Sequence, residues 1–170
     1  SDDGTRKILW ALPDGNIIES VLIPDSDRGE GTWDRLTLCI SSQVGCAMKC
    51  SFCLTGDMGL VANLTAAQIA NQALQAAQSL PEGKRITNIV MMGMGEPLHN
   101  YTSLTTALRN ILNENGLNYS HRRVTVSTVG MVNGLKKLAK DIPVNLAISL
   151  NASTDSQRLS VMPINKRWPI

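Results

Sequence analysis

From residue 36 onward the same alternation occurs four times. Short aliphatic and β-branched runs, "LTLCIS", "ITNIVMMG", "RRVTVSTVG" and "PVNLAISLNAS", are each followed by a stretch with apolar residues at helical spacing. In "NLTAAQIANQALQAAQSLPEG", Ile69, Ala73, Ala76 and Leu80 share one face, Thr65 is placed to cap the start, and Pro81 and Gly83 stop the helix. In "SLTTALRNILNENG", Leu104, Leu108, Ile111 and Leu112 point inward and Gly116 follows the end. "VNGLKKLAKDI" carries its lysines late, as the helix dipole prefers, and "TDSQRLSVM" opens a final short helix at Thr154 or Asp155. Strand followed by helix, repeated, predicts an α/β fold of parallel β/α units. Periodicity alone suits a doubly wound sheet and a barrel equally. In both, chemistry belongs at the C-terminal ends of the strands.

Ahead of this region, residues 6–12 and 16–23 are apolar runs split by "PDG", a turn signal that predicts a β-hairpin. Residues 24–35 form a polar, glycine-containing connection. The chain thus divides into a hairpin with its connecting loop, 1–35, and a β/α core, 36–170. Four units do not close a barrel, so the core is expected to stop short of completion. With aromatic residues at 4%, the core must rest on Leu, Ile, Val, Met and Ala.

A net charge of +2 neither favours nor opposes nucleic acid as a partner, so any such surface must be local. The basic clusters Arg122–Arg123, Lys136/Lys137/Lys140 and Lys166–Arg167 read as solvated faces. The first 15 residues hold no long apolar run, and no stretch approaches the roughly 18 apolar residues of a membrane span. The expectation is a cytoplasmic chain with no membrane partner. There the thiols stay reduced, and four cysteines point to metal or catalysis.

Three of those cysteines, Cys46, Cys50 and Cys53, fall within "VGCAMKCSFCLTGDMG". Structural zinc closes four ligands, whereas three thiolates on an iron–sulfur cluster leave one iron open to a substrate or cofactor. A zinc site would need Cys39, which lies inside a predicted strand, as fourth ligand. That alternative describes a zinc-stabilised RNA-binding module without catalysis. The other strand ends carry "GMGEP", "STVG" and "SLNAS", so four separate segments converge on one predicted rim.

The spacing C-x3-C-x2-C, with Phe52 before the last cysteine, resembles the radical S-adenosylmethionine superfamily. "TLCISSQVGCAMKCSFCLTGDMGL", "ITNIVMMGMGEPLHNY", "RRVTVSTVG", "LAISLNA" and "MPINK" together resemble its RNA adenine-methyltransferase branch, the RlmN/Cfr family, over nearly all of residues 5–168. The resemblance implies a partial (β/α) barrel with a [4Fe-4S] cluster on Cys46, Cys50 and Cys53. It implies S-adenosyl-L-methionine bound at the open iron and cleaved to a 5′-deoxyadenosyl radical. Phe52, Gly95, Glu96, Ser127, Ser149, Leu150 and Asn151 match cofactor-contacting positions, Glu96 toward the amino group. The family commonly has His where Asn151 stands.

The activity implied is methylation of adenosine C2 in 23S rRNA and tRNA, with C8 as the alternative. A methyl-carrying cysteine serves as intermediate, and a reductase such as flavodoxin supplies electrons. Cys39 matches a catalytic cysteine that resolves the protein–RNA adduct by forming a disulfide with the methyl-carrying one. Glu19 matches a proton acceptor. No cysteine follows Cys53 in these 170 residues, so the methyl carrier is expected outside this chain, and the resemblance implies the same for the family's N-terminal accessory domain.

Overall fold

The structure, a computed structural model, describes residues 2–25 and 35–170. The strands are β1 (Arg6–Ala11), β2 (Ile17–Pro24), β3 (Leu36–Cys39), β4 (Gln43–Gly45), β5 (Leu60–Asn63), β6 (Asn88–Met91), β7 (Val124–Thr128) and β8 (Asn145–Ile148). The α-helices are α1 (Leu54–Asp57), α2 (Ala66–Gln78), α3 (Tyr101–Leu112), α4 (Val132–Asp141) and α5 (Asp155–Val161). Short 3₁₀ turns occupy Pro97–Asn100, His121–Arg123 and Pro163–Lys166.

The hairpin forms as the sequence predicts. Leu12 N–H donates to the Asn16 carbonyl at 2.8 Å, and Gly15 takes a φ of 84°. Its strands extend the same sheet as the core, in the order β1-β2-β3-β6-β7-β8. β1, β2 and β3 are antiparallel neighbours, and β3, β6, β7 and β8 run parallel. Most of the predicted 24–35 connection lies outside the described residues.

Register decides which face is covered. Leu38 aligns with Ile89, Ile89 with Val124, and Met91 with Val126. These side chains form one core with Ile69, Ala73 and Ala76 of α2, Leu104, Leu108 and Ile111 of α3, and Leu138 of α4. The crossover helices pack side by side, α2 on α3 and α3 on α4. One-sided helices on a parallel sheet make a partial barrel, not a doubly wound sheet. The opposite, inner face carries Thr37, Cys39, Val90, Thr125 and Ser127.

Local chemistry sets the helix limits. Thr65 caps α2 with its hydroxyl on the Gln68 amide, while the Gln68 side chain returns to the Thr65 N–H, a full capping box. Thr154 caps α5. On the buried face of α2, Gln72 accepts from the Ser20 hydroxyl and the Ser41 N–H and donates to the Ser41 carbonyl. Trp10 Nε1–H donates to Ser20 Oγ, so hairpin, helix and the end of β3 share one satisfied buried network. On the edge strand β8, Leu146 and Ile148 share the face of Val126 and Thr128 yet stay exposed. No helix among the described residues is long and apolar enough to cross a membrane.

Candidate active site

Beyond β3 the chain turns into the two-stranded ribbon β4–β5, which carries the cysteine loop between its strands. Gly45, at a φ of 71°, lets the Gly59 carbonyl come so close that an added Cβ would lie 1.8 Å from it. Cys46 N–H donates to that carbonyl at 2.9 Å. Lys49 takes a left-handed φ of 54°, Cys53 N–H closes on the Cys50 carbonyl at 3.0 Å, and Gly56 N–H on that of Cys53 at 2.9 Å. These turns coil the loop so that all three cysteines face one cavity of about 320 Å³.

The "GMGEP" loop after β6 supplies the opposite wall. A Cβ on Gly93 would meet the Ile40 backbone at 2.8 Å, and one on Gly95 would meet Gln43 Cβ at 2.5 Å. Gly95 has a φ of 98°, which only glycine adopts without strain. Gln43 Oε1 accepts the Glu96 N–H at 2.8 Å, and its Nε2 donates to Asn63 Oδ1 at 2.7 Å, tying this loop to the ribbon. Glu96 and Pro97 then start a 3₁₀ turn as N-cap and first residue.

The Glu96 carboxylate is 2% exposed yet lines the cavity. Oε1 accepts the Leu98 N–H at 3.1 Å and Oε2 the Val129 N–H at 2.9 Å. Burial pushes its pKa above the usual carboxylate range, while the Val129 amide, the Thr128 hydroxyl and the Leu98 amide pull the other way. Ser127, Thr128 and Val129 at the end of β7 and Ser149 after β8 complete the rim.

The cysteines share one electrostatic environment. Burial raises the Cys50 thiol to about 11, with further pushes from Cys46, Cys53 and Glu96 and a pull downward from Arg158. Cys46 is also raised, chiefly by burial, then by Glu96 and Cys53, against amide hydrogen bonds from Met48 and Glu96. Gathering three thiolates and a carboxylate here is unfavourable unless a cationic group joins them. Among the described residues no three His, Cys, Asp or Glu side chains converge on a single-ion position. Three thiols lining one cavity are the donor set with which a protein holds an iron–sulfur cluster and leaves one iron open, and the residues present fit that group.

Of the residues singled out from sequence, Cys46, Cys50, Cys53, Phe52, Gly95, Glu96, Ser127 and Ser149 line this one cavity; Leu150 and Asn151 follow at its edge without lining it. Asn151 takes a left-handed φ of 57°, and its side chain points to Met162 Sδ at 3.5 Å. Cys39 is buried on the inner face of the sheet; burial raises its thiol pKa, and the Met92 N–H on its sulfur pulls it down. Met92 lines the cavity, so Cys39 sits directly behind the cavity wall. Glu19 lies outside the cavity on β2, its carboxylate 3.1 Å from Lys7 Nζ and its carbonyl accepting the Ser41 hydroxyl. Met48, Thr55, Met91, Met92 and Val129 also line the cavity, and Gln43, Gln72 and Arg158 are buried ties; none of them was singled out from sequence. A polar residue at a core spacing, as Gln72 is between Ile69 and Ala76, was the available signal. One expectation is corrected: all four cysteines are free thiols, and the disulfide implied for Cys39 is absent. The other three cysteines are turned into the cavity, and the chain holds no fifth.

A partial barrel with three thiols, a Gly-Glu turn and two serines at the strand ends defines the class: residues 40–168 match the Radical SAM superfamily, and the chain belongs to it. Within that class it is 51% identical over its whole length to the dual-specificity RNA methyltransferase RlmN of Syntrophobacter fumaroxidans, covering 48% of that protein. It is 53% identical to RlmN of an Anaeromyxobacter species, covering 45% of it. The crystal structure of a radical SAM methyltransferase from Sphaerobacter thermophilus superposes with a TM-score of 0.91 at 47% identity, over 100% of this chain and 49% of that one. The chain therefore spans about half the length of these relatives.

Proposed function

We propose that this chain is the catalytic core of an RNA adenine C2-methyltransferase acting on 23S rRNA and tRNA. The observation that carries the reading is the convergence of Cys46, Cys50, Cys53, Glu96, Ser127 and Ser149 on one cavity at the C-terminal strand ends. Cys46, Cys50 and Cys53 would hold a [4Fe-4S] cluster, and S-adenosyl-L-methionine would fill the space beside it. When bound, the cluster would supply the electron that cleaves the sulfonium cofactor, giving a radical able to take hydrogen from the methyl-carrying cysteine, so that the resulting carbon radical can add to a ring carbon that polar methyl transfer cannot reach.

The chain's own residues bind and orient. Glu96 presents a buried carboxylate toward the cofactor's ammonium, with Val129 and Leu98 amides holding it in place. Ser127 and Ser149 offer hydroxyls, and Phe52 lends an apolar wall. Leu150 and Asn151 contribute backbone groups at the rim. Cys39, a free thiol held behind Met92, matches the family's catalytic cysteine. Glu19 takes the proton, a role that requires its pair with Lys7 to open. The relatives' names as RNA methyltransferases and the extended motif match support the substrate class. A reductase such as flavodoxin completes the system in the cytoplasm.

The test is anaerobic reconstitution with iron and sulfide, followed by reduction with dithionite in the presence of S-adenosyl-L-methionine. The reading expects 5′-deoxyadenosine from the wild-type chain and none from Cys46→Ala, Cys50→Ala or Cys53→Ala. It expects no methylated RNA from these 170 residues alone, because the methyl-carrying thiol is not among them. Stoichiometric zinc with no cluster would instead favour the RNA-binding module.

A further inference from the structure

Arg158, on α5, is 3% exposed, and every donor of its guanidinium is engaged. Nε donates to the Leu150 carbonyl at 3.1 Å. Nη1 donates to Asn165 Oδ1 at 2.7 Å and to the Trp168 carbonyl at 3.0 Å. Nη2 donates to the Val129 carbonyl at 2.6 Å and to the Ser149 carbonyl at 3.4 Å. All five acceptors are neutral. The nearby Asp155 spends its carboxylate on the Asn165 side-chain amide and the Ile170 N–H. A buried cation without a bonded anion is costly, and carbonyl dipoles offset only part of that cost.

What Arg158 holds together is specific. Val129 and Ser149 line the cavity, and Leu150 follows at its edge. The cysteine loop is bound to the same helix, Ser51 N–H donating to the Val161 carbonyl at 2.9 Å. Thus α5 joins three walls of the site: the cysteine loop, the end of β7 and the end of β8. The buried charge of Arg158 thus stands one hydrogen bond behind Val129 and Ser149, which share the cavity with Cys46, Cys50 and Cys53. A planar five-donor fork can bridge these segments, whereas an ammonium cannot.

We propose that Arg158 is a positioning residue with two linked roles: its hydrogen bonds lock the β7 and β8 loops around the cofactor space, and its buried charge is the counter-cation to the anionic group on Cys46, Cys50 and Cys53. The second role rests on the cluster reading; the first does not. Reduction adds negative charge to the site, so a fixed cation behind it raises the reduction potential, and its loss lowers it.

Wild type, Arg158→Lys and Arg158→Gln are reconstituted anaerobically with iron and sulfide, after circular dichroism establishes folding. Midpoint potential is read by redox titration and cofactor affinity by equilibrium dialysis with S-adenosyl-L-methionine. Both variants should bind the cofactor about tenfold more weakly, the usual scale for outer-layer support of a metal site. The potential should fall in Arg158→Gln and stay near wild type in Arg158→Lys, a split that a purely structural role would not produce. Wild-type potential and affinity in Arg158→Gln would overturn the proposal. If that variant does not fold, hydrogen exchange of metal-free Arg158→Lys decides: faster exchange at residues 129–130 and 149–150 supports the clamp, and unchanged protection refutes it. If wild type takes up no cluster, the cluster reading fails, and the exchange measurement still tests the clamp.

Discussion

Gly95→Ala isolates the geometry that brings the Gly-Glu turn to the cysteines. Two costs add at this position. A φ of 98° puts a side chain in a strained region, which costs about 1–2 kcal/mol. The new Cβ would stand 2.5 Å from Gln43 Cβ and 2.8 Å from its Oε1, so Gln43 must move. Overpacking of this kind costs about 1–3 kcal/mol. The sum, about 2–5 kcal/mol, corresponds to a fall in Tm of roughly 5–15 °C for a chain of this size. Gly15→Ala is the control, since Gly15 has a φ of 84° and nothing within 4 Å of its Cβ direction, leaving the backbone cost alone. Thermal unfolding of both metal-free variants by circular dichroism separates the steric part from the conformational part. Displacing Gln43 also breaks its bond to the Glu96 amide, so Gly95→Ala should weaken cofactor binding while Gly15→Ala should not. Equal destabilisation by the two substitutions would refute the packing described for this wall.

The other expectations are simpler. Thr65→Ala removes the cap of α2 and should cost about 1 kcal/mol in urea unfolding; no loss would mean the capping box contributes nothing. Gln72→Leu leaves the Ser41 N–H and carbonyl without their buried partner and should cost at least about 2 kcal/mol, seen as a lower urea midpoint. Because burial holds the Glu96 pKa above its unfolded value, the folded chain keeps that proton where the unfolded chain has lost it. Its contribution is therefore greatest below the ordinary carboxylate pKa and declines as pH rises through the raised value. The stability of wild type relative to Glu96→Gln should fall with rising pH, and a rise would contradict the sign. In the metal-free chain, iodoacetamide labelling of Cys50 should keep accelerating up to a pH of about 11; a plateau near pH 8 would show the thiol is not desolvated.

Most of the architecture could be read from the chain because its signals are local. Asp14–Gly15 set the hairpin, Thr65 and Gln68 the start of α2, and the alternating periods set the β/α order. The rim could be read because cysteines, the Gly-Glu pair and the serines each follow a strand. The ribbon β4–β5 could not. Three or four residues hold too little alternation to register, and the ribbon depends on Gly45 admitting the Gly59 carbonyl, a contact between segments. Arg158 was equally hidden. A charged residue in a seven-residue helix reads as solvent-facing, and only the meeting of three loops explains its burial. The exposed Leu146 and Ile148 of β8 show the reverse case: their aliphatic pattern predicts burial, yet both are exposed on the edge strand.

The central claim is that three thiolates hold a cluster and leave one iron free for the cofactor. The most direct measurement is the Mössbauer spectrum of the anaerobically reconstituted chain, with iron-57, before and after S-adenosyl-L-methionine is added. The account predicts that one iron in each cluster changes its spectrum on addition while the others do not. A cluster whose irons all ignore the cofactor, or a chain that retains no cluster, would contradict it.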